Sequence, residues 1–162
     1  MAVSKYHPNE AILEAYNAGQ RVFGESKVQE MVAKYEALPK DIEWHFIGHL
    51  QTNKIKYMAS FVSLIHGVDS LKLLKEIDKQ AAKAGRRIKC LLQIHIAQEE
   101  TKFGFSPNEC KEMLAQGEWR ELKNIQLCGL MGMATNTDST EQVRAEFSSL
   151  SSLFDELKSA FF

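Results

Sequence analysis

The sequence predicts an α/β protein in which helices cover a parallel sheet. Short, nearly continuous apolar segments alternate with amphipathic helical patterns, an order typical of parallel strands joined by crossover helices. The alternation repeats six times in 162 residues. No linker or low-complexity stretch divides the chain, so we expect one domain over residues 1–162.

Six apolar segments have the length and composition of buried strands. The fourth, for example, is rich in β-branched and aromatic residues, which favours a strand. The predicted strands cover residues 1–4, 21–24, 43–48, 61–68, 88–96 and 125–133.

Helical periodicity follows each of these segments. Val28, Met31, Val32 and Tyr35 are spaced i, i+3, i+4, i+7, which places them on one face of a helix. Capping residues and glycines set the expected limits of the helices. The predicted helices cover residues 9–18, a stretch after the second strand that runs through 38, 50–60, 70 to about 84, a stretch opened by Ser106-Pro107, and about 139 to the end.

Composition and charge exclude several classes of protein. Lys plus Arg total 20 and Asp plus Glu total 21, so no basic excess indicates nucleic acid binding. No apolar run approaches the roughly 20 residues that span a bilayer, and the start does not resemble a signal peptide. Three cysteines without CxxC spacing indicate reduced, mostly buried thiols in a cytoplasmic protein, and no metal site is expected.

Two architectures fit the six strand–helix units: an open doubly wound sheet and a TIM-type (β/α)8 barrel. A barrel typically takes about 250 residues, and six units are too few to close it. The chain begins inside its first strand and ends in its last helix. We therefore expect the sequence to lack material at both ends, so that a barrel would be only partly present.

Lys5 is the first candidate for chemistry. It follows the first predicted strand, and the carboxyl ends of parallel strands form the active face of α/β folds. A partly desolvated lysine there has a lowered pKa and an amine free to form a Schiff base. The alternative is a solvated lysine at a strand end.

Other candidates lie at later strand ends. His45 either faces the barrel interior or is a hydrogen-bonded core histidine. His45 and His49 are four residues apart, but a strand that ends at Gly48 separates them, which disfavours a shared metal. Gly48 and the next helix start could instead hold an anion. Glu25 is either a ligand-face carboxylate or part of the first turn of the next helix.

Two more segments lie on the same predicted face. Lys102, in the polar loop after the fifth strand, is either a phosphate contact or a solvated side chain. The sixth strand ends in Gly129-Leu130-Met131-Gly132-Met133, whose glycines permit close approach of a ligand or of another backbone. These patterns alone predict a polar strand-end site without naming its ligand.

Eight short segments in a fixed order make a more specific signal than any single motif. Together they resemble the motifs of the pyridoxal phosphate homeostasis proteins over essentially the whole chain. The segments are Ala2-Val3-Ser4-Lys5, Phe23-Gly24-Glu25, Val28-Gln29-Glu30, Trp44-His45-Phe46-Ile47-Gly48, Gln51-Thr52-Asn53-Lys54, Val68-Asp69, Lys102-Phe103-Gly104-Phe105 and Gly129-Leu130-Met131.

This resemblance implies the barrel of alanine racemase, fold type III among pyridoxal phosphate proteins. It implies that Lys5 holds pyridoxal 5′-phosphate as an internal aldimine, a Schiff base. The predicted cofactor-binding residues are Lys5, His45, Lys102 and Met131, and no catalytic residue is predicted. The implied function is to bind, buffer and deliver the cofactor to recipient apoenzymes, without robust catalysis and as a monomer when complete.

The sequence departs from the family pattern at two places near the implied site. His7 stands where a second lysine is usual, and Ser26 stands where an asparagine is common. The family's phosphate-binding segments lie beyond the sixth helix and are not in this sequence. Two rival hypotheses remain: an amino-acid racemase, which needs a second acid/base group, and a flavodoxin-like binding module in which Lys5 is incidental.

Overall fold

A computed structural model describes residues 1–100 and 103–162 of the chain. Six strands form one parallel sheet with the sequential order β1-β2-β3-β4-β5-β6. This order is that of a (β/α)8 barrel and not of a doubly wound sheet, whose order reverses. The strands are β1 (Ala2–Val3), β2 (Val22–Glu25), β3 (Glu43–Phe46), β4 (Leu64–Val68), β5 (Ile88–Gln93) and β6 (Ile125–Met131).

In residues 1–100 and 103–162, five α-helices follow strands, and three of them have the serine caps expected of helix starts. The hydroxyls of Ser70, Ser106 and Ser139 each accept a hydrogen bond from a backbone N–H three residues later. In the described part of the chain, no helix combines the length and apolar character needed to cross a membrane. The helices are α1 (Asn9–Asn17), α2 (Val28–Ala37), α3 (Leu71–Lys83), α4 (Pro107–Gln116) and α5 (Thr140–Phe161).

The third predicted helix, residues 50–60, is wrong in type. The structure has a short 3₁₀ helix, Thr52–Tyr57, followed by turns. Thr52, Asn53 and Ile55 have low helix propensity, and only Ile55 of this helix is buried, so little packing holds a longer α-helix. A second 3₁₀ helix, Glu118–Glu121, was not predicted.

The predicted strands are too long at several ends. The strand predicted over 61–68 begins only at Leu64, and the one predicted over 88–96 ends at Gln93. Some of the extra apolar residues, such as Val62 and Ile94, are buried without belonging to a strand. Ile94, for instance, is 1% exposed and makes only an isolated bridge to Phe105. Burial of a loop residue therefore extends the apolar pattern beyond the hydrogen-bonded ladder.

The helices pack against one face of the sheet, and this helix-covered face holds the core. Trp44 and Phe46 of β3 are each 1% exposed, and Phe23 of β2 packs against Trp44 with ring centroids 6.0 Å apart. Ile77 of α3 is fully buried. The alternation of side chains along each strand directs these apolar residues toward the helices.

The other face carries different residues, and we call it the open face. Val3, Gly24 and His45 are register partners across β1, β2 and β3, and Val3 is 50% exposed. Because side chains alternate, the residues between buried core positions lie on this face. Its side chains include Val3, His45, His66, Lys89 and Gln126.

Candidate functional site

Lys5 lies at the carboxyl end of β1, where the sequence placed it. The ladder continues one residue past the strand, because the Ser4 N–H donates to the carbonyl of Gly24 at 3.0 Å. Lys5 comes next and is exposed, while Ser4 is buried. The amine is thus attached to a backbone that is fixed immediately before it.

A buried polar network lies on the helix side of this strand end. The Ser4 hydroxyl donates to Glu25 Oε2, and Lys34 Nζ of α2 donates to both Glu25 oxygens at 3.0 and 3.1 Å. Lys34 Nζ also donates to the Ser4 carbonyl at 2.9 Å. The side chains of Glu25 and Lys34 are 0% and 7% exposed. A buried ion pair of this kind is tolerated because its hydrogen-bonding groups are paired.

Glu25 does not have either of the two positions that the sequence suggested. It is the last residue of β2 and lies on the same side as Phe23, toward α2, so it is neither a ligand-face carboxylate nor part of a helix. Burial raises the pKa of its carboxyl group, whereas the hydrogen bonds from Ser4 and Lys34 oppose this. Its role in the fold is to hold Ser4 and Lys34 together.

The residue after Lys5 is held as well. Tyr6 has a φ of 67°, and among residues 1–100 and 103–162 it is the one non-glycine residue with positive φ. Its backbone N–H donates to Glu30 Oε1 of α2 at 2.9 Å. This hydrogen bond lowers the pKa of Glu30, since it favours the carboxylate. Two side chains of one helix therefore fix the backbone on both sides of Lys5.

His45 and His66 form a pair on the open face. His45 Nδ1 and His66 Nε2 are 3.0 Å apart, and both rings are partly buried. Burial, followed by the charge of His45, lowers the pKa of His66 to about 4. Burial also lowers the pKa of His45, and the positive charges of the N-terminus and Lys89 add to this. Both sequence interpretations of His45 hold in part: it lies on the barrel-interior face and is hydrogen-bonded.

His49 has different partners from His45. Its ring stacks on Phe103 at 3.8 Å, and its Nδ1 lies 3.6 Å from Asp69 Oδ2. The two histidines at i and i+4 therefore belong to separate clusters. The structure thus argues against a metal shared by His45 and His49.

The loop after β3 differs in form from the helix start that was expected to follow Gly48. The next helix is the 3₁₀ helix, which begins only at Thr52, and Gly48 packs on the neighbouring strand-end loop. A Cβ at Gly48 would lie 2.2 Å from the carbonyl oxygen of Ser26. Its lack of a side chain is required by the close approach of two backbones.

Met131 is the last residue of β6 and is half-buried. Its register partner is Gln93, so it lies at the carboxyl end of the sheet, as expected. Lys5 and Met131 therefore follow or end the two edge strands, and His45 lies on β3 between them. Lys102 falls outside the described residues.

Three residues of this region were given no role from the sequence: Lys34, His66 and Glu30, the last of which lies in one of the family motifs. Glu30 and Lys34 form an i, i+4 pair with a 3.5 Å separation, a pattern visible in the sequence of α2. Lys34 also follows Met31 by three residues, which places a lysine on the buried stripe. His66 could have been found from β4, where strand alternation puts it opposite to Ile65 and thus on the open face.

An apolar groove of about 220 Å³ lies far from this cluster in the sheet order, at the β6 edge. Leu127 and Leu130 of β6 line it together with Phe154 and Phe162 from the C-terminal part of the chain. Among the described residues that line the groove, Lys158 is the charged one. The groove offers hydrophobic surface but no cluster of reactive groups, so the Lys5 region is the better candidate site.

Sequence comparisons place the chain among proteins of known family. The family described as "Alanine racemase, N-terminal domain" matches residues 1–161. A "Pyridoxal phosphate homeostasis protein" of Aquifex aeolicus is 43% identical over 159 residues, covering 98% of this chain and 69% of that protein. A protein of the same name from Helicobacter pylori is 40% identical, covering 99% of this chain and 72% of that protein.

Comparison with solved structures agrees with the sequence comparisons. PipY of Synechococcus elongatus, solved without PLP, superposes with a TM-score of 0.92 at 37% identity, covering 99% of this chain and 74% of PipY. The PLP-bound PipY structure gives 0.87 at 36% identity over the same shares. An alanine racemase of Clostridium difficile gives 0.75 at 18% identity, covering 97% of this chain and 42% of the racemase, which shows a shared fold alone. The chain belongs to the pyridoxal phosphate homeostasis protein family, built on the N-terminal domain fold of alanine racemase.

Proposed function

We propose that this chain binds pyridoxal 5′-phosphate through Lys5 and acts in homeostasis of that cofactor. The observation that carries the proposal is the position of Lys5, an exposed amine on a fixed backbone at the carboxyl end of β1. A relative with 36% identity over 99% of this chain was solved with PLP bound, which supports the same ligand here.

The residues around Lys5 fit this cofactor in their chemistry. A bound pyridoxal 5′-phosphate supplies an aldehyde, which bonds covalently to a lysine amine, and an electron-withdrawing ring. Lys5 would provide the amine. His45 and Met131 are proposed as further contacts because they lie on the open face and at the carboxyl end of the sheet, respectively. Lys102 is proposed from its family motif.

Robust racemisation is not part of the proposed function. A racemase needs two acid/base groups on opposite sides of the reacting carbon. The described groups on the open face nearest to this role are His45 and His66, which hydrogen-bond each other and lie on adjacent strands. Burial lowers the pKa of both rings, which disfavours the imidazolium form that a general acid would need. We infer a carrier that passes its cofactor to recipient apoenzymes.

We also propose that the protein works in the cytoplasm. All three cysteines are free thiols, which suits a reducing compartment such as the cytoplasm. Two of them, Cys90 and Cys110, are buried as expected, but Cys128 is exposed. The monomeric state stays a prediction, which sedimentation of the loaded protein would test.

Borohydride reduction tests the cofactor assignment. The chain is incubated with pyridoxal 5′-phosphate, reduced, digested and analysed by mass spectrometry. We expect a visible absorbance band that reduction removes, with the adduct on Lys5. Lys5→Ala should lose the band, whereas the control Lys83→Ala, in the last turn of α3, should keep it. An adduct found mainly on another lysine would overturn the assignment.

Turnover of alanine tests the absence of robust catalysis. The loaded chain is incubated with L-alanine, and D-alanine is measured by chiral chromatography. We expect a rate far below the usual enzyme range of roughly 1–10³ per second. A rate within that range, lost in Lys5→Ala, would favour the racemase hypothesis instead.

A further inference from the structure

The backbone on both sides of Lys5 is held by side chains of a single helix, α2. The carbonyl of Ser4 accepts a hydrogen bond from Lys34 Nζ at 2.9 Å, and the N–H of Tyr6 donates to Glu30 Oε1 at 2.9 Å. The Ser4 carbonyl also accepts from the N–H of His7 at 3.0 Å, which closes a turn around Lys5. The Lys5 side chain itself is exposed.

This turn has a conformation that needs outside support. Tyr6 has a φ of 67°, in the left-handed region that costs energy for a residue with a side chain. Such a conformation persists only where surrounding contacts hold it. The Glu30 carboxylate supplies that contact, and the ring of Tyr6 is also approached by Lys27 Nζ at 5.2 Å from its centroid.

The support is anchored in the protein interior. Lys34 is fixed by two hydrogen bonds to Glu25, which is fully buried, and by an ion pair of 3.5 Å with Glu30. Ser4 donates its hydroxyl hydrogen to the same Glu25. The position of the turn is therefore coupled to the core through α2 and the buried Glu25–Lys34 pair.

We propose that Glu30 and Lys34 are positioning residues for Lys5. They touch only its neighbouring backbone atoms, and they hold its amine in the place where it reacts with an aldehyde. In that reaction the neutral amine adds to the aldehyde carbon. A carbon–nitrogen double bond replaces the carbon–oxygen double bond, and the two amine hydrogens leave with the aldehyde oxygen as one water. The inference rests on the proposed function of Lys5.

The experiment compares two variants of equal side-chain length at Glu30. Glu30→Gln keeps a carbonyl oxygen that can accept from the Tyr6 N–H, whereas Glu30→Met removes the acceptor. The rate constant for formation of the Lys5 adduct with pyridoxal 5′-phosphate is measured by stopped-flow absorbance across pH. We expect Glu30→Met to lower the rate constant at least about tenfold, as expected when a reacting group is misplaced, and Glu30→Gln to stay within about threefold of the unchanged chain.

Controls separate positioning from loss of folding. Glu36→Ala removes an exposed carboxylate from the same helix and should leave the rate constant unchanged. Thermal unfolding of each variant is followed by circular dichroism, and rates are measured well below the transition. Because Lys34 is buried, Lys34→Met is compared only where it is folded, and it should then slow the reaction as Glu30→Met does.

The outcomes distinguish the two proposals. If the unchanged chain forms no adduct on Lys5, the proposed function fails. If it forms the adduct and folded Glu30→Met forms it at the same rate and with the same pH dependence, the positioning role is overturned and Glu30 is merely structural. A rate that falls in Glu30→Met and is preserved in Glu30→Gln supports positioning.

Discussion

The two faces of the sheet differ in what they hold, although they alternate residue by residue along the same strands. Trp44 and Phe46 on the helix-covered face are each 1% exposed, while His45 between them lies on the open face and binds another histidine. Apolar burial stabilises the first face, and polar pairs populate the second. Alternate residues of the same short strands therefore serve different purposes: one set stabilises the fold, and the other supplies the candidate chemistry.

The largest expected contrast comes from two consecutive residues on opposite faces. Trp44→Ala should lower the free energy of unfolding by about 3–5 kcal/mol, because a large buried side chain leaves a cavity. His45→Ala should lower it by less than about 1 kcal/mol, since its ring is only partly buried. Urea denaturation measures both, and similar losses would show that the open face is as stabilising as the covered one.

The buried ion pair sharpens the comparison, because it is a polar feature on the covered face. Lys34→Met should cost about 3 kcal/mol of unfolding free energy at pH 7, since Glu25 would remain buried without its partner. The double variant Glu25→Gln/Lys34→Met should recover part of this loss, because no unpaired charge remains. The pairing argument would be contradicted if the double variant lost more unfolding free energy than the two single variants lose in total.

Lowering the pH tests how much the partly buried histidine pair of the open face contributes to the pH dependence of stability. The pKa of His66 is lowered to about 4, below the ordinary value of about 6.5 that applies in the unfolded chain, so the unfolded state binds its proton first as pH falls. Stability is then full above pH 6.5 and is lost toward pH 4. We expect a loss of about 1–2 kcal/mol from this residue, reduced by solvent screening because its ring is partly exposed.

His66→Asn isolates this contribution, since it removes the titrating group while keeping a polar side chain. Its unfolding free energy should vary less with pH between pH 6.5 and pH 4 than that of the unchanged chain. His45, whose pKa is lowered by burial, acts in the same direction and remains in both proteins. Identical pH profiles would mean that His66 is not buried in its neutral form.

The smallest effect on stability is expected for the cysteines. The reactivity of their thiols measures how well the helices cover the sheet. Burial raises the pKa of Cys90 to about 12 and that of Cys110 to about 11, so both should react slowly with a thiol reagent. Cys128 is exposed and should react first. Cys128→Ser should remove the fast phase and change the unfolding free energy by less than about 0.5 kcal/mol.

Much of the fold was accessible from the sequence because it depends on local periodicity. The six parallel strands follow from apolar segments alternating with helical stripes, whereas their sequential order was implied by the resemblance to a barrel family. The exceptions are informative: residues 50–60 have apolar spacing without helix propensity, and Ile94 is buried in a loop. Periodicity records burial, which helices, 3₁₀ turns and loops can all provide.

The candidate site was harder to predict from the sequence than the fold. Lys5 could be placed because it follows a strand and lies in a family motif. Its support could not, because Ser4, Glu25 and Lys34 come from three elements and meet only in the folded chain. A carboxylate at the end of an otherwise buried strand and a lysine on the buried stripe of α2 are the local signals of that network. Such a residue needs a partner, and the sequence does not say which.

The sequential strand order has a consequence for how the protein is made. Each strand after the first pairs with the one synthesised just before it. The groups that hold Lys5 end at Lys34, and the ribosome therefore delivers them all before it reaches β3. At roughly 5–20 residues per second, the whole support of the reactive amine is synthesised within seconds of its first residue.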